Sequence, residues 1–442
     1  MNSIFKAYDI RGVYPEELNE ETAFRMGAAF VVFLKQKTDK SKLKIVLARD
    51  NRLSSESLFN RLKKGVLSQG GDVADIGLAT TPLLYFSVAH YGYDGGIIVT
   101  ASHNPPRYNG FKIVLSEARP ISEETGLKEI KEIFLNHDFK EEVSGIAEEK
   151  KTIDDYISFN MDNEDFKDIK IVVDTANSAS GLPVPGILKN TGLMHIFSEL
   201  DGSFPNHEPN PFKEENTVFL KEKILKEKAD LGAAFDGDGD RIIFLDEKGE
   251  TVSSDLILAL LASLILKTSP NAKILYDIRS SNIVKETVEK LGGRAIASRV
   301  GHSFFRQKMR EEDAIFGGEY TGHFFSGSPY FIESPFFVLF RILNFLKKEQ
   351  KPLSQIIFPF RKYFQSGEIN FKSEDKESKI KELKDRYREG RVTEMDGLRV
   401  DFDDWWFLVR ASNTEPLIRL IIEAKTPDIL KNKVGELTSF LK

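Results

Sequence analysis

The feature that most constrains the fold of this chain is a recurring pattern: a short apolar run ends in a polar loop, and an amphipathic helix pattern follows. The run LKIVLA at 43–48 precedes a helical pattern at 55–68, and IKIVVDTAN at 169–177 starts a second series. A third series begins with KILYDIRSS at 273–281. Strands that alternate with helices are typical of α/β sheets, which bind ligands beyond the carboxyl ends of their strands.

Length and this repetition together predict several domains. A single hydrophobic core stops growing well before 442 residues. The segment 128–165 is charged and weakly patterned, which places a boundary near residue 150. We predict an α/β protein with three similar mixed-sheet α/β domains and a smaller α+β C-terminal domain around one central cleft, with the bounds 1–150, 151–250, 251–364 and 365–442. Residues 366–442 are expected to contain two strands and two helices.

Composition excludes several kinds of site and partner. The chain has no cysteine, which excludes a disulfide scaffold, a cysteine-ligated zinc site and an iron–sulfur cluster. A net charge of −6 gives no sign of a nucleic-acid partner. The longest apolar stretch, Leu256 to Leu266, is too short to cross a bilayer, and the N-terminus lacks the apolar segment of a signal peptide. We therefore expect a cytoplasmic protein without membrane association, whose oligomeric state the sequence leaves open.

The first motif that carries chemistry is TASHNPPRYNGFK at 100–112, which follows a strand pattern. It contains Ser102, a hydroxyl that needs help from its surroundings to act as a nucleophile. His103 and Lys112 could supply positive charge or exchange a proton. Ser, Asn, Pro and Gly also make ordinary surface turns, and no nucleophile-elbow signature is present. From these residues alone, a plain turn is the stronger interpretation.

The second motif is DGDGDR at 236–241, in which three aspartates alternate with glycine. Like charges this close repel each other strongly unless a cation lies among them, and oxygen ligands suit Mg²⁺ or Ca²⁺. An EF-hand would need glycine at its sixth position and flanking helices, whereas strand patterns flank this loop. A solvated acidic turn is the other alternative. The motif predicts a metal site formed by Asp236, Asp238 and Asp240.

Two later motifs suggest recognition of a sugar and of a phosphate. GEYTGH at 318–323 places a carboxylate, a hydroxyl and an imidazole on one short loop, a combination that suits sugar hydroxyls but also a capped turn. RASNTEP at 410–416 combines Arg, Ser, Asn and Thr between two strand patterns. Arginine binds phosphate in a bidentate manner, and backbone N–H groups in such loops form concave anion sites.

The four motifs occur in the order serine loop, metal loop, sugar loop and phosphate loop, after the opening FKAYDIRG at 5–12. In this order they resemble the α-D-phosphohexomutase superfamily, especially its phosphomannomutase/phosphoglucomutase branch, over the whole chain. The resemblance implies an intramolecular phosphotransferase that converts hexose 6-phosphate to hexose 1-phosphate, with mannose, glucose or both as the sugar. It also implies a phosphoserine enzyme and a hexose 1,6-bisphosphate that serves as intermediate and activator.

The resemblance assigns roles to individual residues. The catalytic residues that it implies are Ser102 as the phosphoserine, His103, Lys112 and Arg241. It implies Mg²⁺ held by the phosphate on Ser102 and by Asp236, Asp238 and Asp240. The substrate-binding residues that it implies are Tyr8, Arg11, Arg279, His302, Glu319, Tyr320, Thr321, Gly322, His323, Arg410, Ser412, Asn413 and Thr414. The proton carrier stays open among Lys112, His103 and His323.

The chain departs from the family pattern at two places. Thr321 stands where the family often has Ser, although the hydroxyl is retained. The stretch SGSPYFIESPFF at 326–337 replaces an aromatic and acidic stretch that ends in an Asp-Asp-Gly-like turn in many members.

The sequence leaves three alternative functions open: a phosphoglucosamine mutase, a metal-dependent sugar phosphatase and a non-catalytic sugar-phosphate-binding protein. Phosphoglucosamine mutases usually lack the Pro105-Pro106 pair and the Phe111 present here. A metal-dependent sugar phosphatase would not need the phosphate loop at 410–414, and a non-catalytic sugar-phosphate-binding protein would need neither Ser102 nor all three aspartates.

Overall fold

A computed structural model describes residues 4–7, 9–142, 144–373, 375–411 and 417–442. The chain forms two compact units: one contains Met1–Val252 and Thr321–Ser354, and the other contains Ser253–Tyr320 and Gln355–Lys442. Its four sheets confirm the predicted fold class: three belong to α/β domains, and the fourth belongs to a smaller C-terminal α+β domain. Within the described ranges, no helix combines the length and the apolar character that a bilayer-spanning segment needs.

The secondary-structure elements are numbered in chain order. The strands are β1 (Ile10–Val13), β2 (Leu43–Arg49), β3 (Gly71–Leu78), β4 (Gly95–Val99), β5 (Tyr108–Leu115), β6 (Ala147–Glu149), β7 (Phe166–Asp174), β8 (Thr191–Ile196), β9 (Leu231–Phe235), β10 (Ile242–Leu245), β11 (Thr251–Val252), β12 (Lys273–Asp277), β13 (Arg294–Ser298), β14 (Phe316–Gly318), β15 (Phe324–Ser326), β16 (Phe364–Gln365), β17 (Ile369–Lys372), β18 (Arg391–Thr393), β19 (Leu398–Asp401), β20 (Trp405–Ala411) and β21 (Leu417–Ala424). The α-helices are α1 (Glu20–Lys37), α2 (Ser55–Ser68), α3 (Thr81–His90), α4 (Leu127–Asn136), α5 (Ile153–Asn160), α6 (Val184–Ile187), α7 (Val218–Glu227), α8 (Ser254–Thr268), α9 (Asn282–Lys290), α10 (His302–Glu312), α11 (Pro335–Glu349), α12 (Leu353–Ile357), α13 (Lys376–Arg386) and α14 (Pro427–Leu441).

The first sheet has the order β1-β5-β4-β2-β3-β6. Strand β2 runs parallel to both β3 and β4, so the loops that follow β2 and β4 leave the sheet at the same edge. Helices α1 and α2 pack closely because glycines lie at their contact points. A Cβ atom on Gly27 would lie 2.2 Å from the Leu62 carbonyl oxygen, and one on Gly65 would lie 2.0 Å from that of Phe24.

The second sheet has the order β11-β10-β9-β7-β8. Strand β9 is parallel to β7 and antiparallel to β10, so the DGDGDR segment connects two adjacent antiparallel strands. This arrangement confirms that strands, and not helices, flank the acidic loop. Strand β9 is buried along its whole length, which anchors that loop firmly.

In the second compact unit, β12 has the parallel neighbours β13 and β14. The C-terminal sheet is antiparallel in the order β16-β21-β20-β19-β18, and β17 also pairs with β21. The expectation of two strands in 366–442 is therefore wrong, since β17 to β21 all lie there. Strands β17, β18 and β19 have only three or four residues each, too few for a clear two-residue alternation in the sequence.

Glu423 of β21 is the centre of a buried polar network in this unit. Its Oε1 accepts hydrogen bonds from the Asn282 backbone N–H at 2.9 Å and from Trp406 Nε1 at 2.8 Å. Its Oε2 accepts one from Gln365 Nε2 at 2.9 Å, and the same amide nitrogen lies 3.4 Å from Asp255 Oδ2. One amide group thus bridges two buried carboxylates. Burial, followed by the charge of Asp277, raises the pKa of Asp255 to about 7.

This raised pKa predicts a pH-dependent stability term. Because the folded chain binds the Asp255 proton more tightly than the unfolded chain does, its stabilising effect is complete below about pH 4 and is lost as the pH rises through about 7. Asp255→Asn removes this titration. We expect the Tm of the wild type relative to Asp255→Asn to fall between pH 5 and pH 8, by the equivalent of about 3 kcal/mol, because about two pH units lie between pH 5 and the raised pKa.

The exposed Asp403 provides the matched control, because Asp403→Asn should change Tm equally at both pH values. Calorimetric scans at both pH values measure the effect. A Tm difference between the wild type and Asp255→Asn that does not change with pH would contradict the assignment.

Candidate active site

Ser102 lies just beyond the end of β4 and is almost fully buried. Its φ of 50° lies in the left-handed region, which is uncommon for a residue with a Cβ atom and carries strain. Its backbone N–H donates to Thr100 Oγ1 at 2.9 Å. Its hydroxyl donates to Asp236 Oδ2 at 2.7 Å and lies 3.2 Å from His103 Nδ1. The tertiary structure therefore makes Ser102 a buried side chain facing an acidic loop, and not a surface turn.

The acidic loop between β9 and β10 holds Asp236, Asp238 and Asp240, which are all completely buried. Each offers a carboxylate oxygen, and these oxygens lie within 4.8 Å of one another. Burial, followed by the charges of Asp240 and Asp238, raises the pKa of Asp236 well above its usual range. Oδ1 of Asp238 and of Asp240 is buried with no hydrogen-bond partner within the described ranges. Crowded, incompletely bonded oxygen ligands of this kind fit a small divalent cation.

The serine loop and the acidic loop touch through backbone atoms. A Cβ atom on Gly237 would lie 2.5 Å from the Ser102 carbonyl oxygen, so only glycine fits at this position. Gly239 has a φ of 70°, which a side chain would disfavour. The glycines between the aspartates therefore allow both the tight turn and the close approach to Ser102.

Lys112 on β5 lies directly against the acidic loop. Its Nζ donates to Asp238 Oδ2 at 2.6 Å and also forms a very short ion pair with Asp240. Although burial alone would lower it, the charges of Asp238 and Asp240 raise the pKa of Lys112 well above its usual value. Thr81, at the start of α3, also donates from its Oγ1 to Asp238 Oδ2 at 2.6 Å. Lys112 thus remains an ammonium that offsets part of the buried negative charge, and Thr81 is a contact that the sequence analysis missed.

Arg241 connects the acidic loop with the imidazole of His323. Its backbone N–H donates to Asp236 Oδ1 at 3.2 Å, and its Nε donates to His323 Nε2 at 2.8 Å. Because a guanidinium only donates, His323 Nε2 must accept in this arrangement. His323 Nδ1 lies 3.7 Å from Asp240 Oδ1. Glu333 is buried beside them, with a carboxylate oxygen within 4.8 Å of ligand atoms of Asp240 and His323.

Glu333 was not among the residues predicted from the sequence. Its only signal was that the stretch at 326–337 departs from the family pattern.

Arg11 on β1 also reaches the serine loop. Its Nη1 donates to Asn104 Oδ1 at 2.7 Å, while its Nη2 pairs with Asp9 Oδ2 at 2.6 Å. His103 is partly buried, and burial, followed by the charges of Arg241 and Arg11, lowers the pKa of His103 well below its usual value. His103 is therefore a neutral imidazole next to the serine hydroxyl.

In the second compact unit, Arg279 follows β12 and is buried against Asp277. Its Nη2 donates to Asp277 Oδ2 at 2.6 Å, and its guanidinium carbon lies 5.5 Å from the centre of the Tyr320 ring. Although burial would lower it, the charge of Asp277 raises the pKa of Arg279. Glu319 is also buried. Its Oε1 accepts a hydrogen bond at 2.9 Å from the backbone N–H of Gly301, the residue directly before His302.

Arg410, near the end of β20, is linked through Asp396 to Val300, which lies next to Gly301. Its Nη2 pairs with Asp396 Oδ2 at 2.9 Å, and that oxygen also accepts from the Val300 backbone N–H at 2.8 Å. One carboxylate thus joins the C-terminal sheet to the loop that leads into α10 at His302.

The structure therefore brings the predicted site residues together in two sets. The set in the first unit is Arg11, Ser102, His103, Lys112, Asp236, Asp238, Asp240, Arg241 and His323. The set in the second unit is Arg279, His302, Glu319, Tyr320 and Arg410. Thr321 is partly buried, and Gly322 has a φ of 88° and accepts from the Ile242 N–H. Four predicted residues lie outside the described ranges: Tyr8, Ser412, Asn413 and Thr414.

Comparison with protein-family models gives four consecutive matches. They are described as phosphoglucomutase/phosphomannomutase alpha/beta/alpha domain I at residues 2–141, domain II at 151–249, domain III at 253–363 and the C-terminal domain at 368–437.

Individual proteins are similar over nearly the whole length. The chain is 39% identical to a phosphomannomutase of Methanocaldococcus jannaschii, with 99% of this chain and 97% of that protein aligned. It is also 39% identical to a phosphomannomutase of Escherichia coli, with 95% and 94% aligned. Among solved structures, a phosphoglucomutase/phosphomannomutase family protein from Burkholderia thailandensis superposes with a TM-score of 0.90 at 31% identity, over 100% of this chain and 97% of that one.

Proposed function

Because the chain belongs to the phosphoglucomutase/phosphomannomutase family, we propose that it interconverts hexose 6-phosphates and hexose 1-phosphates, with Ser102 as the residue that carries the phosphoryl group. The observation that carries this proposal is the buried contact between Ser102 Oγ and Asp236 at 2.7 Å, inside a cluster of three carboxylates and Lys112. The enzyme is then an isomerase that acts by phosphoryl transfer.

We propose the domain bounds 1–150, 151–250, 251–364 and 365–442. The support is that the four family models match consecutive segments, and that the gaps between those segments fall at 142–150, 250–252 and 364–367.

The carboxylates fit Mg²⁺ as the cation of this site. A phosphate on Ser102 next to three buried carboxylates would be strongly repelled without a cation, and Mg²⁺ prefers oxygen ligands. Asp236, Asp238, Asp240 and an oxygen of that phosphate would hold the ion. When bound, Mg²⁺ supplies neutralisation of the charge on the transferring phosphoryl group.

Other side chains of the first set supply positive charge and a site for the serine proton. Lys112 keeps its proton, so it acts as a fixed positive charge, and Arg241 adds a second one beside Asp236. His103 Nδ1, 3.2 Å from Ser102 Oγ, is placed to hold the serine proton while Ser102 exchanges its phosphoryl group. The bond between Ser102 Oγ and phosphorus breaks as the free hydroxyl of the sugar binds phosphorus, so the sugar hydroxyl gives up its proton and Ser102 Oγ takes one. The resulting hexose 1,6-bisphosphate then returns its other phosphoryl group to Ser102: Ser102 Oγ gives up its proton and the sugar oxygen that is released takes one.

The side chains of the second set are those that we propose for the substrate. Glu319 would accept hydrogen bonds from the 3- and 4-hydroxyls of the sugar, together with Thr321. The cations Arg279 and Arg410 suit the phosphate that is not being transferred, since guanidinium groups bind phosphate in a bidentate manner. His302 and Tyr320 would complete the contacts to the sugar.

The phosphoserine predicts a specific covalent change. Incubation with glucose 1,6-bisphosphate should add one phosphate to the wild type, as measured by intact mass. Ser102→Ala should abolish this addition and lower kcat by roughly 10³-fold or more, because it removes the hydroxyl that contacts Asp236 and carries the phosphoryl group. The exposed Ser439 gives the control, and Ser439→Ala should behave like the wild type. A Ser102→Ala enzyme that is still phosphorylated and active would contradict the phosphoserine mechanism.

The metal assignment predicts a change in cation affinity. Asp238→Asn removes one of three charges from the acidic loop, so its affinity for Mg²⁺ should fall roughly tenfold or more, as measured by calorimetric titration. Asp168→Asn changes an exposed aspartate of the same sheet and should leave the affinity unchanged. Equal Mg²⁺ affinities of Asp238→Asn and the wild type would refute the assignment.

The sugar contacts predict dual specificity. Mannose and glucose share the 3- and 4-hydroxyls and differ only at carbon 2, so a site that holds the shared hydroxyls has little means to reject either sugar. We expect kcat/KM for mannose 1-phosphate and glucose 1-phosphate to agree within roughly 100-fold, and Glu319→Ala to lower both about equally. Coupled assays that also include glucosamine 1-phosphate measure this. Selective loss of one activity in Glu319→Ala would contradict binding through the shared hydroxyls. A wild-type ratio well beyond 100-fold would show that another residue reads carbon 2.

A further inference from the structure

The loop that follows β2 contains an arginine that none of the roles above uses. Arg52 has a fully buried side chain, and its Nε pairs with Asp50 Oδ2 at 3.1 Å. A buried guanidinium needs partners for all of its donors, because an unsatisfied buried donor is costly and a buried charge still more so. The partners of Arg52 therefore show what it does.

Among the described residues, the remaining hydrogen bonds of this guanidinium all go to backbone carbonyls of the serine loop. Nη2 donates to the carbonyls of Ser102 and Asn104, both at 2.7 Å. Nη1 donates to those of Pro105 at 2.8 Å and Tyr108 at 3.1 Å. One side chain thus holds four carbonyls of a seven-residue segment, from Ser102 to Tyr108.

The contact with the Ser102 carbonyl matters most, since Ser102 is in the left-handed conformation. Strained backbone of this kind persists only where the surroundings hold it in place. The Ser102 carbonyl lies between Arg52 Nη2 and Gly237 of the acidic loop. The direction of the Ser102 side chain toward Asp236 therefore depends on the position of this carbonyl.

The same loop also joins the serine loop to the second sheet. The guanidinium carbon of Arg52 lies 5.1 Å from the centre of the Phe204 ring, and Asn51 Nδ2 donates to the Asn177 carbonyl at 2.8 Å. Arg52 is thus fixed from both domains that supply the reacting groups.

We propose that Arg52 is a positioning residue of the phosphoryl transfer: it holds Ser102 in the strained conformation that aims its oxygen at Asp236 of the acidic loop. This inference rests on the proposed function. Lysine keeps the charge but has three donors on one nitrogen and cannot hold four carbonyls spread over the loop. A displacement of about 1 Å at the reacting atom is enough for roughly a 100-fold loss of rate.

The test compares Arg52→Lys with Arg25→Lys in the full-length enzyme. Arg25 belongs to the same domain, donates to the carbonyls of Phe134 and His137, and lies over the Phe134 ring, but it contacts no residue of the serine loop in the described ranges. Arg25 is therefore a matched control for Arg52, since its contacts stabilise the domain without reaching the serine loop. Both variants should lower Tm. Arg52→Lys should also lower kcat roughly 100-fold, with KM for mannose 1-phosphate changed less than about threefold.

Two further measurements separate positioning from general damage. Phosphorylation of Ser102 by glucose 1,6-bisphosphate should slow in Arg52→Lys as much as kcat does, while Mg²⁺ affinity stays that of the wild type, since the aspartates are untouched. A kcat of Arg52→Lys within threefold of that of Arg25→Lys overturns the inference. If the wild type itself neither takes up phosphate nor turns over, the proposed function fails instead.

If Arg52→Lys does not accumulate as folded protein, Asp50→Asn decides the question. It keeps the arginine but removes the charge that fixes Nε, so the guanidinium is held less firmly and can shift away from its four carbonyls. A roughly tenfold fall in kcat at unchanged KM supports the inference, and the wild-type kcat in a folded Asp50→Asn enzyme overturns it.

Discussion

The first compact unit depends on the burial of three carboxylates in one turn between two strands. Asp236, Asp238 and Asp240 repel each other and have lost contact with water, so their burial is tolerated only if cations face them. Lys112, from a different sheet, is one such cation. The acidic loop of the second sheet therefore needs the first sheet beside it, and a divalent ion would complete the neutralisation. This electrostatic requirement couples two domains that are separate in sequence.

The same requirement places Ser102, the residue that we propose carries the phosphoryl group. Ser102 donates to Asp236, and Gly237 meets the Ser102 carbonyl where no side chain would fit. The serine loop can follow this surface only with a left-handed residue at Ser102, and Arg52 holds the carbonyls that this conformation turns inward. Charge neutralisation, backbone strain and hydrogen bonding thus act on one atom, Ser102 Oγ. An enzyme that transfers a phosphoryl group mainly by positioning and electrostatics needs this kind of control.

In the second compact unit the same principle applies to single buried carboxylates. Each buried acid has its own donors: Asp277 pairs with Arg279, Glu319 accepts from a backbone N–H, and Glu423 accepts from a backbone N–H, an indole and an amide. These bonds hold the side chains that we propose for sugar and phosphate in fixed positions. Asp255 is the exception, because one of its oxygens is buried without a partner among the described residues, and its raised pKa follows from that burial.

The sequence by itself determined the α/β class and predicted the cluster of three aspartates, because apolar runs, glycines and crowded charges are local patterns. The resemblance of its motifs identified Ser102, which local physics alone had left as a turn. Only the tertiary structure decided the parts played by Thr81, Glu333 and Arg52. Thr81 meets Asp238 across 157 positions and Arg52 meets Ser102 across 50, so no local pattern distinguishes them from ordinary polar residues. The short strands β17, β18 and β19 were missed for a related reason. Their pairing depends on neighbouring strands, and three or four residues carry too little alternation to show it.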